Sequence, residues 1–454
     1  MGWKKLTSVV IPTACLIAAA LPAEAANKPI FVELPPGMAV SDIDGTGQIV
    51  AGTSGGQNIY WTQDGGIVTL GGTGMGNVSV STDGTKFSGA TTLGGDPSAG
   101  IWLGGTSWQP FGALPPATSG CPDLSNNYDM SADGSVVVGL GWDVCKARAF
   151  RWTAATGMVD LGTLVPNRST RANGVSADGG VIVGWQDLAD GQRVGAKWVN
   201  GVEEFVLAPG GAHVGEAQHA NHDGSIVVGI NCNVGTQAWV WRAGQGLQCL
   251  DGITKAWNLS DDGSIIVGSD GNGPTMKGGI SFNGATALEL KAWLASQGVL
   301  TAANWIGLTS PLAISRDGSV FGGWGQKDQP WPANRGFLIV LTLAPPKLTL
   351  AKGVGGTELK WTLVTGAGRH DVVRGTLSAL QSTGGDFSLA TDTCLVNSTP
   401  LKTLTDANLP PSDDGFFYLV RAEASGNQGT YDSKGAGQLG SRDAEIAASG
   451  VACP

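Results

Sequence analysis

Charge is scarce in this sequence: Asp, Glu, Lys and Arg make up only 14% of it, and they leave a formal net charge of -10 at pH 7. A chain so short of cations is a poor counterpart for a phosphate backbone or an anionic lipid surface, so nucleic acid is set aside as a partner. Histidine and tyrosine are sparse too, four of each, and no Cys-x-x-Cys or Cys/His spacing suggests a metal centre. No nucleophile elbow or phosphate-cradling glycine loop occurs, so no cofactor is expected. Past residue 26 no apolar run approaches the roughly 18 residues of a membrane helix, and membrane insertion is not expected.

The first 26 residues stand apart. Lys4 and Lys5 precede an apolar stretch from Val9 to Leu21, and Ala23-Glu24-Ala25 offers small residues for cleavage, the pattern of a secretory signal. The mature chain is therefore expected outside the cytoplasm, extracellular or periplasmic, where cysteines oxidise. Of seven cysteines only Cys15 falls in the signal. Proximity pairs the others as Cys121 with Cys145, Cys232 with Cys249, and Cys394 with Cys453.

What is plentiful is glycine, 72 residues, and it is periodic. The segments MSADGSVVVG, VSADGGVIVG, ANHDGSIVVG, LSDDGSIIVG and ISRDGSVFGG share one pattern: apolar, Ser or Asn, any residue, Asp-Gly, four mostly β-branched or small residues, Gly. VSTDGTKFSG and IDGTGQIVAG are weaker copies. The glycine pairs run from Gly47 and Gly52 to Gly318 and Gly323, seven pairs each five residues apart. Asp-Gly between two short apolar runs marks a hairpin turn, because the turn needs positive φ and glycine reaches it without a Cβ clash.

An aromatic follows each turn in a strand-like run: Trp61, Trp102, Trp152, Trp198, Trp241, Phe282 and Phe337. A fourth strand follows in most copies, as in Met158 to Leu161, Val202 to Leu207 and Leu247 to Leu250. Four strands per repeat is the signature of propeller blades, in which each sheet buries both faces on its neighbours. The second glycine of each pair is expected where inner strands crowd near the axis, and the aromatics in the core between blades. The last copy lacks a fourth strand while Ile30 to Leu34 is an orphan strand ahead of the first, so the two should pair and close the ring.

Ala344-Pro345-Pro346 reads as a linker. Beyond it Lys347 to Leu350, Thr357 to Leu363, Asp371 to Arg374 and Phe416 to Ala422 alternate as strands of a β-sandwich. The expected fold is all-β: a seven-bladed β-propeller over 27–343, closed by an N-terminal strand, then a sandwich over 347–454, the whole a monomer.

The segment VSADGGVIVGW, with Ala149-Phe150-Arg151-Trp152 and Met158 to Gly162, resembles the HAF-type extracellular repeat of secreted bacterial proteins. That resemblance implies an exported propeller and brings no catalytic residues. In the C-terminal region Glu358 to Trp361 and Phe417 to Ala422 resemble a fibronectin type III layout, with Trp361 as core and Tyr418 as corner tyrosine, although His370 stands where an aromatic is usual.

Loops after each second glycine gather on one face of such a ring. Trp142, Trp185, Trp324 and Trp331, beside Asp143, Asp187, Asp190, Arg193, Lys327 and Asp328, would suit a sugar ring, which takes a flat apolar platform and planar hydrogen-bonding groups. The weighed alternative for these tryptophans is loop packing. His213, His219 and His222 with Glu216 invite a metal reading, but His222 precedes a turn at the opposite end of a strand from His213, which argues against it. A glycosidase could recruit Asp143, Asp187, Asp190 or Glu216. The favoured expectation is a secreted non-enzymatic binding protein for a glycan or surface protein, and the alternative a polysaccharide hydrolase or lyase.

Overall fold

The computed structural model describes residues 28–114, 124–143, 146–232, 237–299, 304–327, 333–424, 427–433, 438 and 440–454. The expected signal, the pair Cys121 and Cys145, Asp328 and Trp331 lie wholly or partly outside these residues. Among them the architecture is all-β. Seven four-stranded antiparallel sheets precede a three-stranded and a four-stranded sheet at the C-terminus. The first strands of the seven are Met38–Ile43, Ser79–Val80, Ser125–Met130, Thr170–Val175, Ala217–Ala220, Lys255–Leu259 and Trp305–Ile314. Each sheet packs on the next through these strands and the seventh packs on the first, which closes a β-propeller ring.

The seventh sheet takes its outer strand from the other end of the chain. Ile30–Glu33 runs antiparallel to Ala333–Val340, with Ile30 opposite Val340 and Glu33 opposite Phe337. The seventh sheet is thereby completed to four strands, with Ile30–Glu33 as its outer edge. In the sixth sheet the outer strand shrinks to Leu288–Glu289, and the chain enters a helix, Leu290–Ser296, that sequence reading missed. The Glu289 carboxylate caps it by accepting from the Lys291 and Ala292 amides. Leu290 and Leu294 then plug the core beside Trp305 and Phe337.

The turn chemistry explains the repeat. In the third sheet the Ser131 hydroxyl donates to Asp133 Oδ1 at 2.9 Å and accepts from the Val136 amide at 3.0 Å, while Asp133 Oδ1 accepts from the Ser135 amide. Four other turns repeat the Ser-to-Asp bond, and Asn221 replaces the serine in the fifth. In the first copy Asp44 fills the serine position and Thr46 donates to it. These bonds favour the ionised form of Asp83, Asp133, Asp178 and Asp262, and hydrogen bonding from Ser81 and Thr85 brings Asp83 down to about 2, whereas burial raises the pKa of Asp44.

The second glycine lies where the inner strand's backbone approaches closely, as expected. A Cβ on Gly184 would lie 1.9 Å from the Arg171 carbonyl oxygen, and one on Gly323 1.8 Å from that of Ser310. The crowding comes from the first strand of the same sheet in most copies, whereas Gly89 is crowded by Trp108 and by Asn58 of the first sheet. Trp198 and Phe337 are fully buried in the intersheet core, as expected, whereas Trp102, Trp241 and Phe282 are half-buried.

In the C-terminal region Leu348–Gly353, Gly356–Trp361 and Thr403–Asp406 form one sheet, and Thr391–Thr399, Arg369–Thr376, Phe416–Ala424 and Asn427–Gln428 the other. Leu359, Trp361, Val372, Tyr418 and Val420 fill the space between them. The Tyr418 hydroxyl donates to Asp406 Oδ2 at 3.1 Å. Disulfides join Cys394 to Cys453 here and Cys232 to Cys249 in the fifth sheet. This region seats on the ring closure: Val364, Ala367, Ala422 and Ala424 share one core cluster with Leu34, Val340 and Leu343. Lys28 and Asn427 exchange two hydrogen bonds, so the closing strand is held from both sides.

Candidate functional site

Six of the seven first strands carry a β-bulge at one place. The register slips between Val40 and Asp42, Asn127 and Asp129, Ala172 and Gly174, Ala217 and His219, Ala256 and Asn258, and Pro311 and Ala313. A bulge re-aims the side chains beside it. Beside the bulges, Ser41-Asp42, Tyr128-Asp129, Gln218-His219 and Trp257-Asn258, with Asn173 and Leu312, face the ring axis. They enclose a cavity of about 230 Å³, lined among others by Tyr128, Arg171, Asn173, Gln218 and Trp257. Toward the turn face the space narrows to about 20 Å³ between Asp42, Asp129, His219 and Asn258, with Arg316 and Asp261 beyond.

The narrow part is chemically uneven. Asp129 belongs to the third sheet and His219 to the fifth, so their 3.3 Å contact skips a sheet and spans the axis. Burial opposes a charged imidazole, but the Asp129 carboxylate outweighs it and raises the pKa of His219. Asp42 accepts from the Ile43 and Val80 amides, and no lysine, arginine or histidine pairs with it among the described residues. Burial first, and the charge of Asp129 second, push its pKa to about 7. These residues also join sheets: Asp42 caps Val80 of the second sheet, Asp129 accepts from Val175 of the fourth, and Asn258 donates to the Leu312 carbonyl of the seventh.

The wider mouth holds aromatic and planar polar groups. Trp257 is half-buried and donates its Nε1 hydrogen to Ser269 at 2.9 Å. The Arg171 guanidinium lies 4.6 Å from the centre of the Tyr128 ring and donates to Asn173 and Glu216.

The tryptophans singled out from sequence do not gather there. Trp185 is only 3% exposed, which corrects its reading as an exposed platform. The guanidiniums of Arg193 and Arg171 cover it at 3.6 and 5.4 Å. Trp142 and Trp324 are half-buried in the third and seventh sheets and do not line the cavity. Arg193 binds Asp187 at 3.3 Å and Glu216 at 3.4 Å, so those two candidate carboxylates are tied to a cation.

The histidines disperse as the strand argument anticipated. His213 packs edge-on against Phe205, His219 faces the axis, and His222 sits on the turn face 3.6 Å from Asp261. No group of three His, Cys, Asp or Glu side chains among the described residues is arranged to hold a metal. Apart from His219, the residues that build the cavity were overlooked, although the sequence carries a signal for them. They are the two positions directly before each repeated signature, such as Tyr128-Asp129 and Gln218-His219, and they vary where the signature does not.

No family model matches the chain, and no curated protein does. Solved structures with which it shares similarity include TolB from Acinetobacter baumannii, at 11% identity and a TM-score of 0.36, covering 57% of this chain and 62% of that one. The match therefore spans less than two thirds of the TolB chain. A chain of the Mitotic Checkpoint Complex aligns at 13% identity and a TM-score of 0.41, covering 73% of this chain and 98% of that one. A prolyl endopeptidase aligns at 9% identity and 0.42, covering 73% and 55%.

Proposed function

We propose that this chain is an exported, non-enzymatic recognition protein of HAF-repeat type. Its seven sheets act as the blades of one propeller, and the bulge-lined axial mouth binds a glycan unit. The fibronectin type III-like sandwich holds the closing strand and spaces the ring from whatever the chain is attached to. The observation that carries this reading is the 230 Å³ cavity, whose lining includes the Trp257 ring and the amides of Asn173 and Gln218. A sugar ring presents an apolar face and a rim of hydroxyls, and an aromatic with planar amides answers both. The cavity is small for a ligand pocket, so one sugar unit enters and the rest of a polymer lies across the mouth.

One observation favours a second reading, polysaccharide cleavage. Asp42, with a pKa of about 7, shares the axial space with Asp129, and a carboxylic acid that keeps its proton near neutrality can serve as a general acid. A glycan array run beside a reducing-end release assay separates the two. Retention without release supports recognition. Release that disappears in Asp42→Asn replaces recognition with hydrolysis, and no retention on any glycan removes both.

A further inference from the structure

Asp42 is singled out by its company. Other carboxylates in and around the cavity have a cationic partner: Asp129 has His219, Glu216 has Arg171 and Arg193, and Asp261 has Arg316. Asp42 has two backbone amides and an open cavity. The groups facing it from the other strands are Asp129 and His219, already paired, with Arg316 at the turn end engaged by Asp261. Asp42 is half-buried at the cavity wall; a carboxylate partly withdrawn from water and lacking a counter-ion is costly when ionised, and a cation brought by a ligand lowers that cost. Trp257, on the same cavity wall, adds a ring face of the kind that attracts ammonium groups, while the Tyr128 ring is taken by Arg171, itself paired with Glu216.

We infer that the sugar unit entering the axial cavity carries a primary ammonium, as a de-N-acetylated amino sugar does, and that this group docks on Asp42. The inference rests on the glycan reading and deepens it. The binding step balances as a proton exchange: protonated Asp42 meets R-NH3+, the carboxylate forms an ion pair with the ammonium, and one proton passes to buffer. An N-acetylated sugar presents a neutral amide and cannot make this exchange.

Asn fits this position in shape, since Asn258 occupies the equivalent place in the sixth sheet and there accepts from the Leu259 amide, but at position 42 it gives up one of the two amide bonds that Asp42 accepts from Ile43 and Val80. Asp42→Asn is therefore a usable variant, with its thermal melting checked against the parent chain. The experiment is calorimetric titration at pH 6 with a glucosamine oligomer and its N-acetylated counterpart, in two buffers of different ionisation heat. The glucosamine oligomer is expected to bind about tenfold more tightly, with heats that differ between buffers in proportion to proton release. In Asp42→Asn both the preference and the release should vanish. Equal affinity for the two oligomers, or equal heats in both buffers, overturns the inference while leaving the glycan reading in place. Binding of neither oligomer overturns it as well, and the array then decides the glycan reading separately. Should the variant fail to melt like the parent, the unmodified protein alone decides the matter through the same two comparisons.

Discussion

The two ends of the first strands follow opposite rules. At the turn end the sheets use nearly one chemistry, a Ser or Asn hydrogen-bonded to an Asp-Gly turn. At the bulge end, a few residues away on the same strands, the equivalent positions carry Asp42, Ser79, Asp129, Gly174, His219, Asn258 and Ala313. Uniform side chains on a repeated backbone are what a repeated fold requires. Different side chains on that same backbone make an asymmetric lining, which a symmetric ring needs if it is to recognise an asymmetric ligand.

That contrast can be broken by substitution. The largest effect is expected from Trp185→Ala, which empties a buried site beneath two guanidiniums and should cost about 3 to 5 kcal/mol in urea denaturation. Trp257→Ala, at the half-buried mouth, should cost much less stability and abolish glycan retention. If Trp185→Ala loses retention without losing stability, the division between packing and recognition tryptophans is wrong.

Next comes Gly323→Ala, whose Cβ would meet a backbone carbonyl that cannot step aside. A loss of about 3 kcal/mol is expected, against about 1 kcal/mol for Gly201→Ala, where φ is +80° and nothing lies within 4 Å. Equal losses would mean that the first strand does not press on the second. Ser131→Ala removes two turn bonds and should cost about 2 kcal/mol by the same denaturation measurement, leaving ligand affinity unchanged.

The last effect appears only in acid and concerns the sandwich. His370 is fully buried and neither ring nitrogen has a hydrogen-bond partner among the described residues. Burial holds its pKa below the ordinary 6.5. The unfolded chain therefore binds the proton more readily, and stability is lost as pH falls through 6.5 and below. His370→Leu should flatten that fall in a pH series of melting curves, and an unchanged slope would assign it to other groups.

The frame of the molecule was legible in the sequence because its cause is local. Asp-Gly turns force positive φ, glycine pairs five apart fix the hairpins, and the orphan Ile30 to Leu34 strand had one free edge to join. The site was not legible in the same way, because a bulge leaves no residue signature of its own. Trp185 looked like a loop platform because it follows Gly184; the strand in fact continues to Asp187, and cation–π contacts cover the ring. The helix at Leu290–Ser296 escaped notice since its cap, Glu289, ends a strand of two residues and the helix is only seven residues long.

Titration of an array-selected glycan against three proteins tests the central claim most directly: the parent chain, Trp257→Ala at the bulge end, and His222→Ala at the turn end. Recognition at the axial mouth predicts that affinity collapses in the first variant and is unchanged in the second. Full affinity in Trp257→Ala, or a loss confined to His222→Ala, would place recognition elsewhere and contradict it.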